Sequence, residues 1–214
     1  MDSERGRIAT QEVMLSDGLR VRAPFGKCVD TTRTRQSGGY ATVVMANCSN
    51  LGGHSFVGAR DAGLIFVTVI PGEHGDLSDL GSAVLSNPGV LARSGQGSDV
   101  EIISLKTSRS ALYANLVDTS AGGPDGVSDR HWKAALDVAG RAIIISVFGK
   151  PDGQLPGAEG ERLARDVAQS MIEANSGTPE RLQSAIPLET VVETPSESAE
   201  NTPQAVFERI FGQR

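Results

Sequence analysis

The chain contains two cysteines, Cys28 and Cys48, and a glycine pair lies almost midway between them. Glycine readily adopts the positive φ angles that tight hairpin turns require, so Gly38-Gly39 predicts a reversal of the chain at that point. Residues near 28 and 48 would then lie opposite each other, within the roughly 4.4–6.8 Å between α-carbons that a disulfide bond needs. Two free buried thiols are the alternative, and a zinc or redox site is less favoured because the chain has no CxxC pair.

A disulfide bond would place the protein in an oxidising compartment, which in a bacterium is the periplasm. The first residues, MDSERGRIATQEV, contain no apolar region of the kind that an export signal has. We therefore expect either a periplasmic or membrane-associated protein whose export signal is missing from this chain, or a cytoplasmic protein. The cysteines favour the first interpretation.

Most of the central part of the chain has the patterns of β-strands. Residues 18–23 alternate apolar and charged side chains, which is typical of a half-buried strand. Residues 40–46 and 63–70 are continuous apolar runs rich in β-branched residues, which indicates central strands. Short polar or glycine-containing links join the later strands in pairs and predict two hairpins. The predicted strands cover residues 18–23, 40–46, 63–70, 100–105, 111–117, 131–138 and 141–148.

Two segments, residues 77–91 and 158–175, have the periodicity of helices. In the second, apolar residues recur at helical spacing, and Glu159 and Glu161 lie in the first turn, where the helix dipole favours negative charge. We expect its apolar stripe to pack on one face of a sheet.

Strands in hairpin pairs, with helices confined to one loop and the C-terminal end, imply an antiparallel α+β fold. We expect a sheet of about six or seven strands and a C-terminal helix, in a single domain over residues 17–175. Residues 1–16 are expected to form a flexible arm. Residues 176–214, rich in Ser, Thr, Pro and Glu, are expected to form a largely disordered acidic tail, with a short helix at 203–211.

Three stretches carry a resemblance to a known group: GLRVRAPFGKCVD from Gly18, GGYATVVMANC ending at Cys48, and the hairpin HWKAALDVAGRAIIISVFG. They resemble uncharacterised exported bacterial proteins that share a P-x-G-[YFK]-C-V-D opening, a second cysteine, a W-x-x-x-x-x-V-x-G-R hairpin and a closing helix. The shape of that group is similar to the Mog1/PsbP-like α/β sandwich. The resemblance covers residues 18–175 and implies a fold and an exported setting, but no catalytic residues.

Charge and hydropathy argue against two classes of function. The net charge is −6, with acidic and basic residues interspersed, so the chain has no positive field that would attract nucleic acid. The longest apolar stretch, residues 63–71, is far shorter than the ~20 residues of a membrane-spanning helix. We expect no nucleic-acid partner and no membrane span in this chain.

Residues 53–58, GHSFVG, resemble the G-x-S-x-G turn of serine hydrolases, except that Val57 replaces the second glycine. Ser55 would be the nucleophile, with His131 as the base and Asp118 or Asp99 as the third member. A glycine-rich surface loop explains the same residues with fewer assumptions. Around His74, the acidic residues are interpreted as a solvated turn rather than a metal site, and we expect no metal and no cofactor.

Two groups of residues are candidates for contact with a partner protein. The first is a set of basic residues that would line one exposed strand face, although Asp17 and Asp30 among them favour an ordinary solvated face. The second is the apolar side of the predicted terminal helix, which includes Phe207 and Phe211. The basic set consists of Arg20, Arg22, Lys27, Arg33 and Arg35.

These observations predict a non-catalytic accessory or binding protein of the bacterial cell envelope that acts through protein–protein contacts, with a membrane-associated complex among its expected partners. A serine hydrolase using Ser55 and His131 is the first alternative. A cytoplasmic assembly factor of the Mog1 type is the second, and it would keep both cysteines reduced.

Overall fold

A computed structural model describes residues 9–52, 63–71, 100–108, 110–119, 126–151, 155 and 157–177. Within these ranges the chain forms ten strands, one 3₁₀ turn at Cys48–Leu51 and one α-helix. The strands are β1 (Ala9–Thr10), β2 (Glu12–Met14), β3 (Arg20–Arg22), β4 (Lys27–Ser37), β5 (Tyr40–Asn47), β6 (Leu64–Ile70), β7 (Val100–Thr107), β8 (Ala111–Asp118), β9 (Arg130–Val138) and β10 (Arg141–Phe148), and the helix is α1 (Ala158–Asn175).

Eight of the strands form one sheet in the order β1-β4-β5-β6-β10-β9-β8-β7, and every described pair in it is antiparallel. Strands β2 and β3 form a separate two-stranded ribbon. Helix α1 contacts β3, β8, β9 and β10. The architecture is therefore an antiparallel α+β fold, as predicted.

Tight turns join the neighbouring strands of two hairpins. Gly38 and Gly39 connect β4 to β5 with φ angles of 58° and 85°, so the predicted reversal of the chain is confirmed. Ala139 and Gly140 connect β9 to β10, also with positive φ, and the Gly140 amide donates to a carboxylate oxygen of Asp137 at 3.1 Å. Positive φ at both turn positions matches the twist of antiparallel strands.

The main core lies between the large sheet and a second layer made of α1 and the β2–β3 ribbon. Alternate residues of the central strands, such as Val43, Val67 and Ile145, point into this core and are fully buried. Val21 of β3 and Met171 of α1 close it from the other side. A second apolar cluster on the opposite sheet face is also buried and includes Ile70, Leu112, Leu116, Ala135 and Ile144.

The ribbon and the helix are joined by a side chain at the end of α1. Asn175 accepts a hydrogen bond from the backbone amide of Arg20 at 3.0 Å and donates to the carbonyl of the same residue at 2.8 Å. This is the pattern of a β-ladder made by an amide side chain. It fixes the C-terminal end of α1 against β3.

The structure contains more strands than the six or seven predicted for the sheet. Strands β1, β2 and β4 were not predicted, because none of them has an apolar alternation long enough to recognise. Strands β1 and β2 are short and lie in the stretch expected to be a flexible arm, yet Leu15 directly after them is buried. The second half of β4 is exposed and rich in Thr and Arg. The helix at 158–175 is confirmed, whereas the predicted helix at 77–91 and the tail from residue 178 lie outside the described residues.

Cys28 and Cys48 form a disulfide bond with their α-carbons 4.8 Å apart, which confirms the predicted pairing over free thiols or a zinc site. The bond closes the open end of the β4–β5 hairpin, opposite the Gly38-Gly39 turn. The Gln11 side-chain amide lies 3.4 Å from both sulfurs and donates to the carbonyl of Lys27 at 2.9 Å. Gln11, which lies between β1 and β2, thereby links this part of the chain to the disulfide bond.

Replacing both cysteines, as Cys28→Ala with Cys48→Ala, is expected to lower the free energy of unfolding by about 3 kcal/mol, because the closed loop of some 20 residues becomes free in the unfolded chain. Guanidinium titration with and without reductant measures this difference. Wild-type protein in reductant should have the same unfolding midpoint as the double variant. Equal midpoints for oxidised and reduced wild-type protein would contradict the assignment.

The N-terminal end of α1 packs closely on Trp132. The indole Nε1 donates to the carbonyl of Gly157 at 3.0 Å, and the ring lies directly beneath Gly160. A Cβ atom on Gly160 would lie 2.6 Å from Cδ1 of Trp132 and would also contact the carbonyl oxygen of Leu155. The glycine is therefore required by packing rather than by its backbone angles.

Gly160→Ala is expected to destabilise the fold by roughly 1–3 kcal/mol through overpacking, although alanine favours an isolated helix by about 1 kcal/mol. Thermal and urea unfolding measure the net effect. Ser170→Ala on the same helix is the control and should change stability by less than about 0.5 kcal/mol. A Gly160→Ala protein as stable as wild type would show that the helix can move away from the tryptophan at no cost.

Candidate functional site

Two members of the predicted hydrolase triad lie on the same face of neighbouring strands. His131 of β9 is directly opposite Leu116 of β8, and Asp118 follows Leu116 by two residues. The backbone amide of Asp118 donates to the carbonyl of Asp129 at 3.1 Å, and His131 Nδ1 lies 2.9 Å from the same oxygen. Ser55 and Asp99 lie outside the described residues.

Both of these side chains are enclosed by the protein. Asp118 is 0% exposed and His131 is 1% exposed. The imidazole stacks on Phe148 with ring centroids 4.5 Å apart. A general base must come within hydrogen-bond reach of the group that it deprotonates, so this arrangement suits a structural contact between β8, β9 and β10 better than catalysis.

The five predicted basic residues do not lie on one exposed face. Lys27 is buried, and its ammonium donates to the side-chain oxygen of Asn47, its partner across the β4–β5 pair. The other four form two separate pairs. One pair, Arg20 and Arg22, is on β3 of the ribbon.

The second pair, Arg33 and Arg35, lies at a bulge in β4. The register passes from Asp30–Val44 directly to Arg35–Thr42, so residues 31–34 protrude. Arg35 donates to the carbonyls of Thr32 and Thr34 at 2.7 and 3.1 Å, and Arg33 lies 3.6 Å from the Asp30 carboxylate. Thr42 alternates with Ala41 and Val43 of the main core, so Arg35 faces away from the ribbon.

Arg20 and Arg22 project outward from the ribbon, because Val21 between them is buried in the core. Their side chains are 50% and 42% exposed. Glu12 on β2 lies between them: Arg22 Nε is 2.7 Å and Arg20 Nη1 is 4.0 Å from its carboxylate oxygens. Two cations therefore share one anion, which leaves this surface with an excess positive charge.

Two large apolar side chains in this part of the chain are exposed. Met14 pairs with Arg20 across the ribbon and is 66% exposed, and Phe25, in the turn that follows β3, is 73% exposed. We call the set Glu12, Met14, Arg20, Arg22 and Phe25 the ribbon face. Arg20 and Arg22 were among the residues predicted from the sequence, whereas Met14 and Phe25 were not, because their exposure depends on tertiary packing.

The ribbon face is held in place from beneath and at both ends. Val13, Leu15, Leu19 and Val21 pack into the main core under it. At one end the Ala23 amide donates to the Gln11 carbonyl at 2.9 Å, beside the disulfide bond. The surface is therefore formed in the free protein.

A second polar cluster connects the start of α1 to the edge of the sheet. Glu161 accepts a hydrogen bond from Lys106 of β7 at 2.6 Å and two from Arg165 at 3.0 and 2.9 Å. The guanidinium of Arg165 in turn lies 4.3 Å from the ring centroid of Tyr113. Hydrogen bonding from Lys106, followed by that from Arg165, lowers the pKa of Glu161, while burial raises the pKa of Tyr113.

Glu161→Gln is expected to lower the free energy of unfolding at pH 7 by up to about 1 kcal/mol, since both basic partners are partly exposed and screened. A carboxyl whose pKa is lowered in the folded state stabilises the fold above its unfolded pKa, and that contribution is lost as the pH falls through the lowered folded-state pKa. Urea titrations from pH 3 to 7 measure the difference in the free energy of unfolding between the variant and the wild type. This difference should disappear at low pH; a difference for Glu161→Gln that stays constant with pH would contradict the assignment.

The structure gives no further candidate for a metal or membrane site in the part of the chain that it describes. These residues contain no group of three or more His, Cys, Asp or Glu side chains placed to hold a metal ion. No described helix is long and apolar enough to cross a membrane. Phe207 and Phe211 lie outside the described residues.

No protein-family model matches this chain, and no curated protein matches it.

Proposed function

We propose that this protein is a non-catalytic binding module of the bacterial cell envelope and that the ribbon face is its docking surface for a partner protein. The observation that carries the proposal is the exposure of Met14, which lies opposite Arg20 on the ribbon, together with that of Phe25 in the turn after β3. Aromatic residues, methionine and arginine are the types enriched in protein interfaces and in their energetic hot spots.

The rigidity of the ribbon supports the same role. Association costs free energy for every side chain and loop that becomes ordered, so a surface already held by its core and by Asn175 binds at a lower cost. The ribbon is also formed by consecutive parts of the chain on either side of one turn. Its charge would select partners with exposed carboxylates.

The envelope setting is supported by the disulfide bond between Cys28 and Cys48. Disulfide bonds persist in oxidising compartments, and small exported domains use them to supplement a limited core. The Mog1/PsbP-like resemblance and a partner in a membrane-associated complex belong to the same proposal. A cytoplasmic assembly factor remains the competing interpretation. It would require both thiols to be reduced in cells, which mass spectrometry after thiol alkylation of intact cells would detect.

The hydrolase interpretation has less support. Asp118 and His131 share one sheet face, but both are buried, and the imidazole is stacked against an aromatic ring. A Ser55→Ala variant that keeps every esterase activity found in a broad screen would remove this alternative.

A photo-reactive amino acid placed at position 14 or 25 is expected to crosslink a partner in cells, because both side chains are exposed on the proposed docking surface. The same group at position 103 is the control, since Ile103 is 43% exposed but lies on β7 at the opposite end of the sheet. Immunoblots and mass spectrometry of the adducts provide the measurement. Combining either label with Arg20→Ala and Arg22→Ala should lower the yield roughly tenfold, as expected for the loss of about 1.4 kcal/mol of binding. Equal crosslinking at positions 14, 25 and 103 would refute a dedicated surface.

A further inference from the structure

The chain itself contains a segment that suits the ribbon face. We propose that residues 182–202 dock on this face and compete there with an external partner. The docking is independent of the proposed function, whereas the competition rests on it. Three observations lead to this inference: where the segment is attached, its charge, and its apolar residues.

The attachment point lies beside the docking surface. Helix α1 ends at Asn175, whose side chain is hydrogen-bonded to both backbone groups of Arg20. The chain leaves the helix at Ser176, whose amide and hydroxyl both donate to the carbonyl of Ile172. Helix α1 therefore ends next to one of the two arginines that the segment would contact.

The charges are complementary. Residues 182–202 contain four glutamates and no basic residue, in a chain whose net charge is −6. The ribbon face has two arginines and one glutamate, so it is a positive site on an acidic protein. Attraction between them extends over about 8 Å at physiological ionic strength and weakens as salt is added.

The apolar residues match as well. Leu188, Val191 and Val192 lie beside or between Glu189 and Glu193. Carboxylates next to aliphatic side chains are what a surface with two arginines, Met14 and Phe25 can bind. Glu189 is the twelfth residue after Gly177, and a random-coil linker of that length would span roughly 20 Å, which is twice the roughly 10 Å length of a three-residue strand.

The tether makes even a weak contact significant. A short linker gives an effective concentration in the millimolar range, so a segment with an intrinsic dissociation constant of about 1 mM occupies its site roughly half of the time. A partner that needs the free ribbon would then bind about twofold more weakly than it would without the segment.

Paramagnetic relaxation in the full-length protein tests the docking. Thr194→Cys provides a thiol for a nitroxide label, since both native cysteines form the disulfide bond. At low salt the label should reduce the amide signals of residues 12–22 by at least half relative to the reduced nitroxide, and about 0.5 M NaCl should restore them. Signals from Ile103 and Lys106 on β7 should not change. Equal signals with the active and the reduced nitroxide at residues 12–22 would overturn the proposal.

A charge swap separates recognition from damage to the fold. Glu12→Arg with Arg20→Glu and Arg22→Glu keeps an attractive pair on the ribbon but inverts its net charge, so the signal loss should disappear. Adding Glu189→Lys and Glu193→Lys should restore it. Failure to restore it in a variant with wild-type thermal stability would overturn the role of charge.

Mixing distinguishes one molecule from two. Protein that carries ¹⁵N but no nitroxide, mixed with nitroxide-labelled ¹⁴N protein, should show no signal loss at residues 12–22. A concentration-dependent loss there would mean that the segment docks on a second copy and would overturn the proposal.

The competition is tested separately, because Glu189→Gln with Glu193→Gln should raise partner crosslinking at position 25 about twofold. If the partner crosslinks but the nitroxide causes no signal loss, the proposed docking surface stands and the docking of residues 182–202 is refuted. If the nitroxide causes signal loss but no partner crosslinks, the docking of the segment stands and the proposed function is refuted.

Discussion

The covalent clamp between Cys28 and Cys48 is the constraint on which this side of the fold depends. Strand β4 is buried only at its start, and its outer neighbour β1 has two residues, so noncovalent packing contributes little there. The clamp closes the open end of the β4–β5 hairpin, and Gln11 contacts both sulfurs from the start of the ribbon. The position of the ribbon face therefore follows from the same bond that holds the hairpin together.

Sequence reasoning succeeded where the signal is local. The periodicity of residues 158–175 predicted α1 at its exact bounds, and the glycine pair predicted the turn that brings Cys28 and Cys48 together. It failed where tertiary contacts decide: the short strand β2 is stabilised by its pairing with β3 and by the core beneath. The candidate site was recognised in part, because Arg20 and Arg22 alternate with a buried residue, whereas the exposure of Phe25 depends on how the turn packs.

The edges of the large sheet are poorly suited to pairing with a strand of another chain. Among the described strands, β7 lies at one end of the sheet, and its register skips Ile103, so the edge is bulged. The other end is the two-residue strand β1. Short or bulged edge strands pair poorly with strands of other chains, and natural sheets use them to prevent aggregation. The proposed docking on the ribbon face would use side chains instead of strand pairing.

The pair of hydrogen bonds between Asn175 and Arg20 joins residues 155 positions apart in the chain. Contacts of such long range form late, because the loop that they close must first be ordered. During synthesis, β3 emerges long before the helix that supports it. The ribbon would thus reach its final support only after α1 has been synthesised, near the end of the production of the chain.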